Sequence, residues 1–144
     1  MSIYPKEFGT NPNFPKKEDF EIIEGEGGVG RGVITKKHFS TGELIAETTG
    51  EVVPEIKQHT LQISSEEHLY DPWFSGYFLH SCDPNVELDM QERKVIALKP
   101  IMEGEYLTMD YASTEDTLYK DFTCECGADN CRGWITGKLD ELPF

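Results

Sequence analysis

The chain has 144 residues, of which 27 are acidic and 13 are basic, so its net charge is −14. This balance argues against direct binding of nucleic acid, because lysine and arginine are needed to displace phosphate counterions. It favours encounter with a basic partner such as a lysine-rich peptide, or it only keeps the protein soluble. No apolar run reaches the length of a membrane span, and the N-terminus lacks the pattern of a signal peptide.

The predicted elements are mostly short strands separated by turns that contain glycine. Residues 1–19 hold three of the eight prolines and are predicted to form an extended arm. A glycine cluster follows at 25–32, and the predicted strands are 20–23, 33–35, 44–48, 59–63, 68–70, 86–90, 94–98 and 106–111. A chain of this length with so many short strands predicts one mainly β domain.

Two segments raise the question of helix. Residues 64–67 either join two strands of a hairpin or begin a helix, because Ser64 and Glu67 also fit a capping box. Asp71 and Pro72 suit the N-cap and the first position of a short helix, which would carry residues 73–79. Short helices are therefore expected in an otherwise β domain.

The four cysteines are the strongest chemical signal in the sequence. Cys124, Cys126 and Cys131 lie within eight residues of one another, and Cys82 stands alone much earlier in the chain. Four thiolates so spaced suit a tetrahedral zinc site that would tie the C-terminal segment to the middle of the domain. A bridge between Cys124 and Cys126 would strain disulfide geometry, but disulfides to distant cysteines are an alternative. Free or metal-bound thiols fit an intracellular location, either cytoplasmic or nuclear.

Five motifs occur in an order that resembles one protein family. They are Gly30-Arg31-Gly32, Gly50-Glu51-Val52, the run from His80 to Asn85, the run from Gly104 to Tyr111, and the tail from Cys124 to Gly133. Together they resemble a minimal SET domain with a zinc-binding post-SET segment, over residues 20–137. The resemblance implies methylation of a lysine side chain by S-adenosylmethionine, which is the usual activity of that family.

The resemblance also implies a β-clip fold, in which several small curved sheets surround a knot-like C-terminal threading. It divides the chain into an N-terminal arm (1–19), a SET domain (20–114) and a post-SET zinc-binding tail (115–144). The threading would bring segment 80–85 beside Tyr111, and both beside segment 30–32.

The resemblance assigns a set of residues to the cofactor, namely Gly30, Arg31, Gly32, His80, Asn85, Tyr111 and Trp134. The His80 backbone would pair with adenine, and the Asn85 side chain would bond the backbone of the crossing loop. Trp134 would cover the adenine face, and the two glycines would let the backbone approach the cofactor. A tight turn for the glycines and a core position for Trp134 are the structural alternatives.

Tyr111 resembles the catalytic tyrosine of the family. A phenol with an ordinary pKa of about 10 is a poor base at neutral pH. Its hydroxyl is therefore expected to align the methyl group and the amine, unless Tyr111 is simply a core residue on a strand. Thr48 and Met109 would line the lysine channel, and the flexible Met109 favours transfer of more than one methyl group.

Two residues depart from the family pattern. Leu79 stands where an asparagine usually precedes the histidine, and Thr48 stands where a tyrosine is usual. The sequence predicts a protein-lysine N-methyltransferase acting on a basic protein or peptide, with no role for nucleic acid or membrane. The alternatives are a SET-like enzyme for a small-molecule amine and a non-catalytic SET-fold binding module.

Overall fold

The computed structural model describes residues 1–25 and 30–139, so part of the glycine cluster (26–29) and the end of the tail (140–144) lie outside the described residues. The strands are β1 (Phe20–Gly25), β2 (Gly30–Thr35), β3 (Leu44–Glu47), β4 (Glu51–Val53), β5 (Thr60–Gln62), β6 (His68–Tyr70), β7 (Leu79–His80), β8 (Val86–Asp89), β9 (Lys94–Ala97), β10 (Thr108–Met109), β11 (Phe122–Thr123) and β12 (Trp134–Ile135). Single 3₁₀ turns lie at Lys6–Phe8, Ser75–Tyr77 and Tyr111–Ser113. None of these described helical turns has the length and apolarity that crossing a membrane requires.

The described strands are distributed over several small sheets. β1 pairs with β2, β11 pairs with β12, and two three-stranded sheets have the orders β3-β9-β8 and β4-β6-β5. β7 pairs with β10, and this pairing is parallel. The prediction of a mainly β domain is confirmed, as are both hairpins, β5–β6 and β8–β9. The Ile63 amide donates to the Glu67 carbonyl, so residues 64–67 form the hairpin connection and not a helix start.

The helix predicted for residues 73–79 is wrong, because the segment makes only one 3₁₀ turn at Ser75–Tyr77. The predicted capping by Asp71 is present, since its carboxylate accepts hydrogen bonds from the amides of residues 73–75. The turn stops at Phe78, which is extended, with a ψ of 134°. From there the chain enters β7 directly.

The strand predicted for residues 106–111 is shorter than expected. It is regular only at Thr108–Met109, while Tyr106 makes an isolated bridge with Ile34. Tyr111 instead begins a 3₁₀ turn, and the Asp110 side chain caps that turn by accepting from the Ala112 amide. The cap ends the strand just before Tyr111.

The buried core lies between the sheets. Its large fully buried side chains include Phe39, Leu69, Phe74, Phe78, Ile101, Leu107 and Met109. A second and smaller cluster joins Cys82, in the middle of the chain, to Cys124 and Ile135 in the tail, with Leu118 and Phe122 packed against it. Because β11 and β12 have two residues each, they cannot hold the tail without a further stabilising element.

Residues 1–19, predicted to be an extended arm, fold back on themselves and onto the domain. Ser2 bridges Lys16, and Tyr4 is only 4% exposed. The Tyr4 hydroxyl donates a hydrogen bond of 2.7 Å to Asp71 Oδ2. Burial raises the pKa of this carboxyl. The N-terminal residues therefore contact the group that shapes the turn at 75–77.

Replacing Tyr4 with phenylalanine should lower the free energy of unfolding by about 1–3 kcal/mol, because the buried Asp71 carboxylate loses one of its hydrogen-bond donors. Urea denaturation followed by circular dichroism measures the change. Tyr119 is 61% exposed, so Tyr119→Phe is the control and should be neutral. Equal stability of Tyr4→Phe and the unsubstituted protein would contradict the role of this contact.

Candidate functional site

A cavity of about 620 Å³ is bounded by segments that are far apart in the chain. Much of its wall is formed by residues 57–61, 75–79 and 118–120. Met109, in β10, and Tyr111, just after that strand, also line it. Arg31, Lys57 and Lys120 bring positive charge to the wall. The volume is that of a typical small-molecule site.

Tyr111 presents a fixed and neutral phenol to this cavity. Its hydroxyl donates to the Phe78 carbonyl at 2.6 Å, and burial raises the pKa of Tyr111 to about 12. The Phe122 ring packs against it edge-on, with the ring centroids 5.9 Å apart. The hydroxyl can therefore orient neighbouring groups, but it cannot remove a proton near neutral pH.

His80 joins the backbone of Tyr111 to a cysteine. The Tyr111 amide donates to His80 Nδ1 at 3.1 Å, so the proton of the neutral ring is on Nε2, which lies 3.4 Å from Cys82 Sγ. Burial, with a smaller contribution from Arg132, lowers the pKa of His80 to about 4 against the opposing charge of Asp110. The ring is therefore neutral at physiological pH.

The four cysteine sulfurs converge on one point. All lie within 4.8 Å of one another, and all four thiols are free. Zn–S bonds of about 2.3 Å in a tetrahedron place sulfurs about 3.8 Å apart, so the cluster fits a zinc ion. Backbone hydrogen bonds from Cys82 and Ala128 lower the pKa of Cys126 to about 6, while burial raises the pKa of Cys124 to about 12. The fit to zinc therefore rests on the sulfur geometry.

The segment that carries Tyr111 runs between two other parts of the chain. On one side, Asn85 Nδ2 donates to the Tyr106 carbonyl and Asn85 Oδ1 accepts from the Thr108 amide, each at 2.8 Å. On the other side, the Leu107 amide donates to the Val33 carbonyl. Residues 106–109 are thus held between β2 and the segment that leads into β8.

Asn85→Ala should lower the free energy of unfolding by about 2–4 kcal/mol, because two backbone groups lose their partner. Denaturant titration measures this loss. Asn13 makes an exposed hydrogen bond to Glu47, and Asn13→Ala is the matched control, with an expected loss below about 1 kcal/mol. Similar small losses for both variants would rule out an architectural role for Asn85.

The predicted site residues fall into two groups. Arg31, Met109 and Tyr111 line the cavity. The described wall does not include Gly32, Thr48, His80, Asn85 or Trp134, and Gly30 begins β2. Thr48 is only 3% exposed, and its amide donates to the Arg93 carbonyl. Trp134 pairs with Thr123 in the β11–β12 ladder.

Leu79, which departs from the family pattern, packs on Gly32. A Cβ at position 32 would lie 2.9 Å from Leu79 Cδ1 and 3.0 Å from the Tyr106 ring. Such distances require a neighbour to move, so the close packing of Leu79 is itself a reason for glycine at this position. Leu79 also lines the cavity.

Three features of the site were missed in the sequence. Phe122 packs on both Tyr111 and His80, and Phe78 supplies the acceptor for the phenol. Glu115 lies in the cavity wall, and its amide donates to the Tyr111 carbonyl. Burial raises the pKa of the Glu115 carboxyl. The aromatic residues between Tyr111 and Cys124 were the available signal, but they follow no motif.

The comparisons with known proteins identify the family. The SET-domain family profile matches residues 30–112, and the chain belongs to the SET-domain family. Methyltransferase flvH of Aspergillus flavus is 42% identical over 66 residues, which is 44% of this chain and 37% of that protein. Histone-lysine N-methyltransferase Set2 of Drosophila melanogaster is 32% identical over 136 residues, covering 77% of this chain and 6% of that protein. The chain thus spans well under half the length of these relatives.

Solved structures confirm the fold. A crystal structure of KRYPTONITE with mCHG DNA and SAH has a TM-score of 0.64 at 24% identity, covering 80% of this chain and 28% of that one. A second KRYPTONITE structure, with mCHH DNA, an H3(1-15) peptide and SAH, has a TM-score of 0.61 at 23% identity, covering 80% and 29%. The predicted mainly β SET fold is therefore correct.

Proposed function

We propose that this chain is an S-adenosylmethionine-dependent N-methyltransferase that acts on a lysine side chain of a protein. The observation that carries the proposal is the neutral Tyr111 phenol, which is fixed by the Phe78 carbonyl at the wall of a cavity of cofactor size. Two further facts support it. Two relatives that are 32% identical to this chain are named histone-lysine N-methyltransferases. SAH occupies the KRYPTONITE structures.

Bound S-adenosylmethionine would supply a methyl group on a sulfonium sulfur, which a neutral amine attacks in line. The chain itself would orient the amine and the methyl group and would exclude water from them. Tyr111 holds its hydroxyl in one direction through the Phe78 carbonyl, which restricts the approach of the amine. Met109, only 1% exposed, and Phe122 add apolar wall. Lys57 and Lys120 place positive charge at the same cavity, which favours the neutral form of an incoming amine.

We assign further cofactor contacts to the segment Gly30–Gly32, of which Arg31 lines the cavity, and to His80 and Trp134, which lie outside the described cavity wall. Asn85 would hold the crossing segment. The fixed tautomer and low pKa of His80 support a role that needs no titration. Met109, which lines the cavity, is assigned to the lysine channel, together with Thr48, which is buried outside the described wall. The hydroxyl-free Met109 favours more than one methyl transfer.

Zinc is proposed as a structural ion bound by Cys82, Cys124, Cys126 and Cys131. It would cross-link the tail to the middle of the chain, as closed four-thiolate sites do. The tail carries Phe122 against Tyr111. The ion would therefore keep one wall of the cavity in place without touching the reacting atoms.

The substrate is proposed to be a basic protein or peptide, because the chain carries a net charge of −14. An intracellular site of action and the absence of a nucleic-acid partner belong to the same proposal. One KRYPTONITE structure includes an H3(1-15) peptide, which makes lysine-rich tail peptides suitable first probes.

The test is incubation of the zinc-loaded protein with methyl-labelled S-adenosylmethionine and a lysine-rich peptide. Label is expected in the peptide and not in a copy with every lysine replaced by arginine. Label in the small-molecule fraction of a cell lysate, and none in protein, would favour an enzyme for small amines. Cofactor binding without transfer to any acceptor would indicate a binding module.

A further inference from the structure

Arg132 contacts both the metal cluster and the tyrosine segment. It follows Cys131 directly, and its backbone amide donates to Cys82 Sγ at 3.4 Å. Its guanidinium donates from Nη2 to Asp110 Oδ1 at 2.7 Å and lies 3.4 Å from His80 Nε2. One residue therefore holds a cysteine sulfur with its backbone and the residue before Tyr111 with its side chain.

Asp110 is itself fixed to the backbone at Tyr111. Its Oδ1 accepts from the Ala112 amide at 3.0 Å, which caps the 3₁₀ turn that begins at Tyr111. The same oxygen accepts from Arg132. A displacement of Arg132 would therefore act on the turn that orients the phenol.

We propose that Arg132 is a positioning residue that couples the four-cysteine cluster to Tyr111 through Asp110. An isolated surface ion pair contributes little, because its two side chains are free to reorient. Here each end is tied to a second group, the Cys82 sulfur at one end and the Ala112 amide at the other. The Arg132–Asp110 ion pair joins residues 22 positions apart in the sequence. Arg132 lies in the tail, and Asp110 lies in the segment that runs beside β7.

The prediction for methyl-transfer kinetics rests on the proposed function, and the prediction for zinc release rests on metal binding by the four cysteines. The variants are Arg132→Met, Asp110→Asn and the double variant. Lys99→Met is the matched control, since Lys99 forms an ion pair of 3.0 Å with Asp83 that is also exposed and lies next to Cys82. Two quantities are measured for each: the rate of zinc release to a colorimetric chelator, and kcat and KM separately.

Asp110→Asn should speed zinc release by about threefold or more, although Asp110 touches no cysteine. Asp110→Asn and Arg132→Met should each lower kcat by about three- to tenfold with little change in KM. The double variant should be no worse than Arg132→Met, because both substitutions remove the same tie. Lys99→Met should match the unsubstituted protein in both measurements.

Zinc release from Asp110→Asn at the unsubstituted rate would overturn the coupling. Multiplied effects in the double variant would also overturn it, because they would mean that the two residues act independently. If the unsubstituted protein transfers no methyl group, the proposed function fails. The zinc-release comparison would still decide the coupling in that case.

Discussion

Tyr111→Phe is expected to lower kcat by at least about tenfold and to leave the Kd for S-adenosylmethionine unchanged. The ring keeps its packing against Phe122 and His80, so the cavity wall survives. What is lost is the hydroxyl that donates to the Phe78 carbonyl. Without it, nothing at this wall position restricts the direction from which the amine approaches.

Single-turnover methyl transfer measures the rate, and calorimetric titration measures the cofactor affinity. Tyr70→Phe is the control, since it removes a phenol hydroxyl from β6 and Tyr70 is not in the described cavity wall. It should retain full activity. Full activity in Tyr111→Phe as well would refute the assigned role.

The pH dependence separates orientation from base catalysis. Because burial raises the pKa of Tyr111 to about 12, the phenol stays protonated from neutral pH to well above pH 9. A rate that rises with pH in this range therefore reports loss of a proton from the substrate amine, whose ordinary pKa is about 10.4. The residual activity of Tyr111→Phe should rise with the same slope. A flat profile in that variant would mean that Tyr111 takes the proton.

Removal of the metal is expected to have the largest effect on the structure. The tail has only two-residue strands and a small buried cluster around Cys82, Cys124 and Ile135. Zinc sites of this kind contribute about 10–16 kcal/mol of apparent binding free energy, which the tail cannot replace. Cys124→Ser or chelation should therefore unfold the tail, withdraw Phe122 from Tyr111 and reduce methyl transfer by more than about tenfold.

Metal analysis, thermal unfolding and transfer assays on the same samples test this result. Re-addition of zinc should restore chelated protein but not Cys124→Ser. Asp129→Ser changes an exposed residue in the same loop and should behave like the unsubstituted protein. Full activity in metal-free protein would show that the cysteines are not a structural metal site.

The parts of the molecule with local signals were predictable. Alternating runs with turns between them located the β5–β6 and β8–β9 hairpins, and cysteine spacing located the sulfurs that converge within 4.8 Å. Asp71 was correctly predicted as a cap, but the helix predicted to follow it was too long. The carboxylate caps only one 3₁₀ turn, because Phe78 must extend into β7.

The remainder of the site depends on contacts between distant segments, which local periodicity does not encode. The parallel pairing of β7 and β10 involves two residues in each strand, too few for a pattern. Phe122 packs on Tyr111, and Arg132 donates to Asp110. Both contacts depend on how the tail lies against the domain, which no local pattern encodes. Family resemblance supplied the threading, but it supplied neither of these contacts.

The most direct measurement is a crystal structure of the zinc-loaded protein with S-adenosylhomocysteine bound. It should show S-adenosylhomocysteine inside the cavity with its sulfur facing the Tyr111 hydroxyl, and one zinc ion among the four cysteine sulfurs. S-adenosylhomocysteine bound elsewhere, or cysteines joined as disulfides, would contradict the assignment of this cavity as a methyl-transfer site.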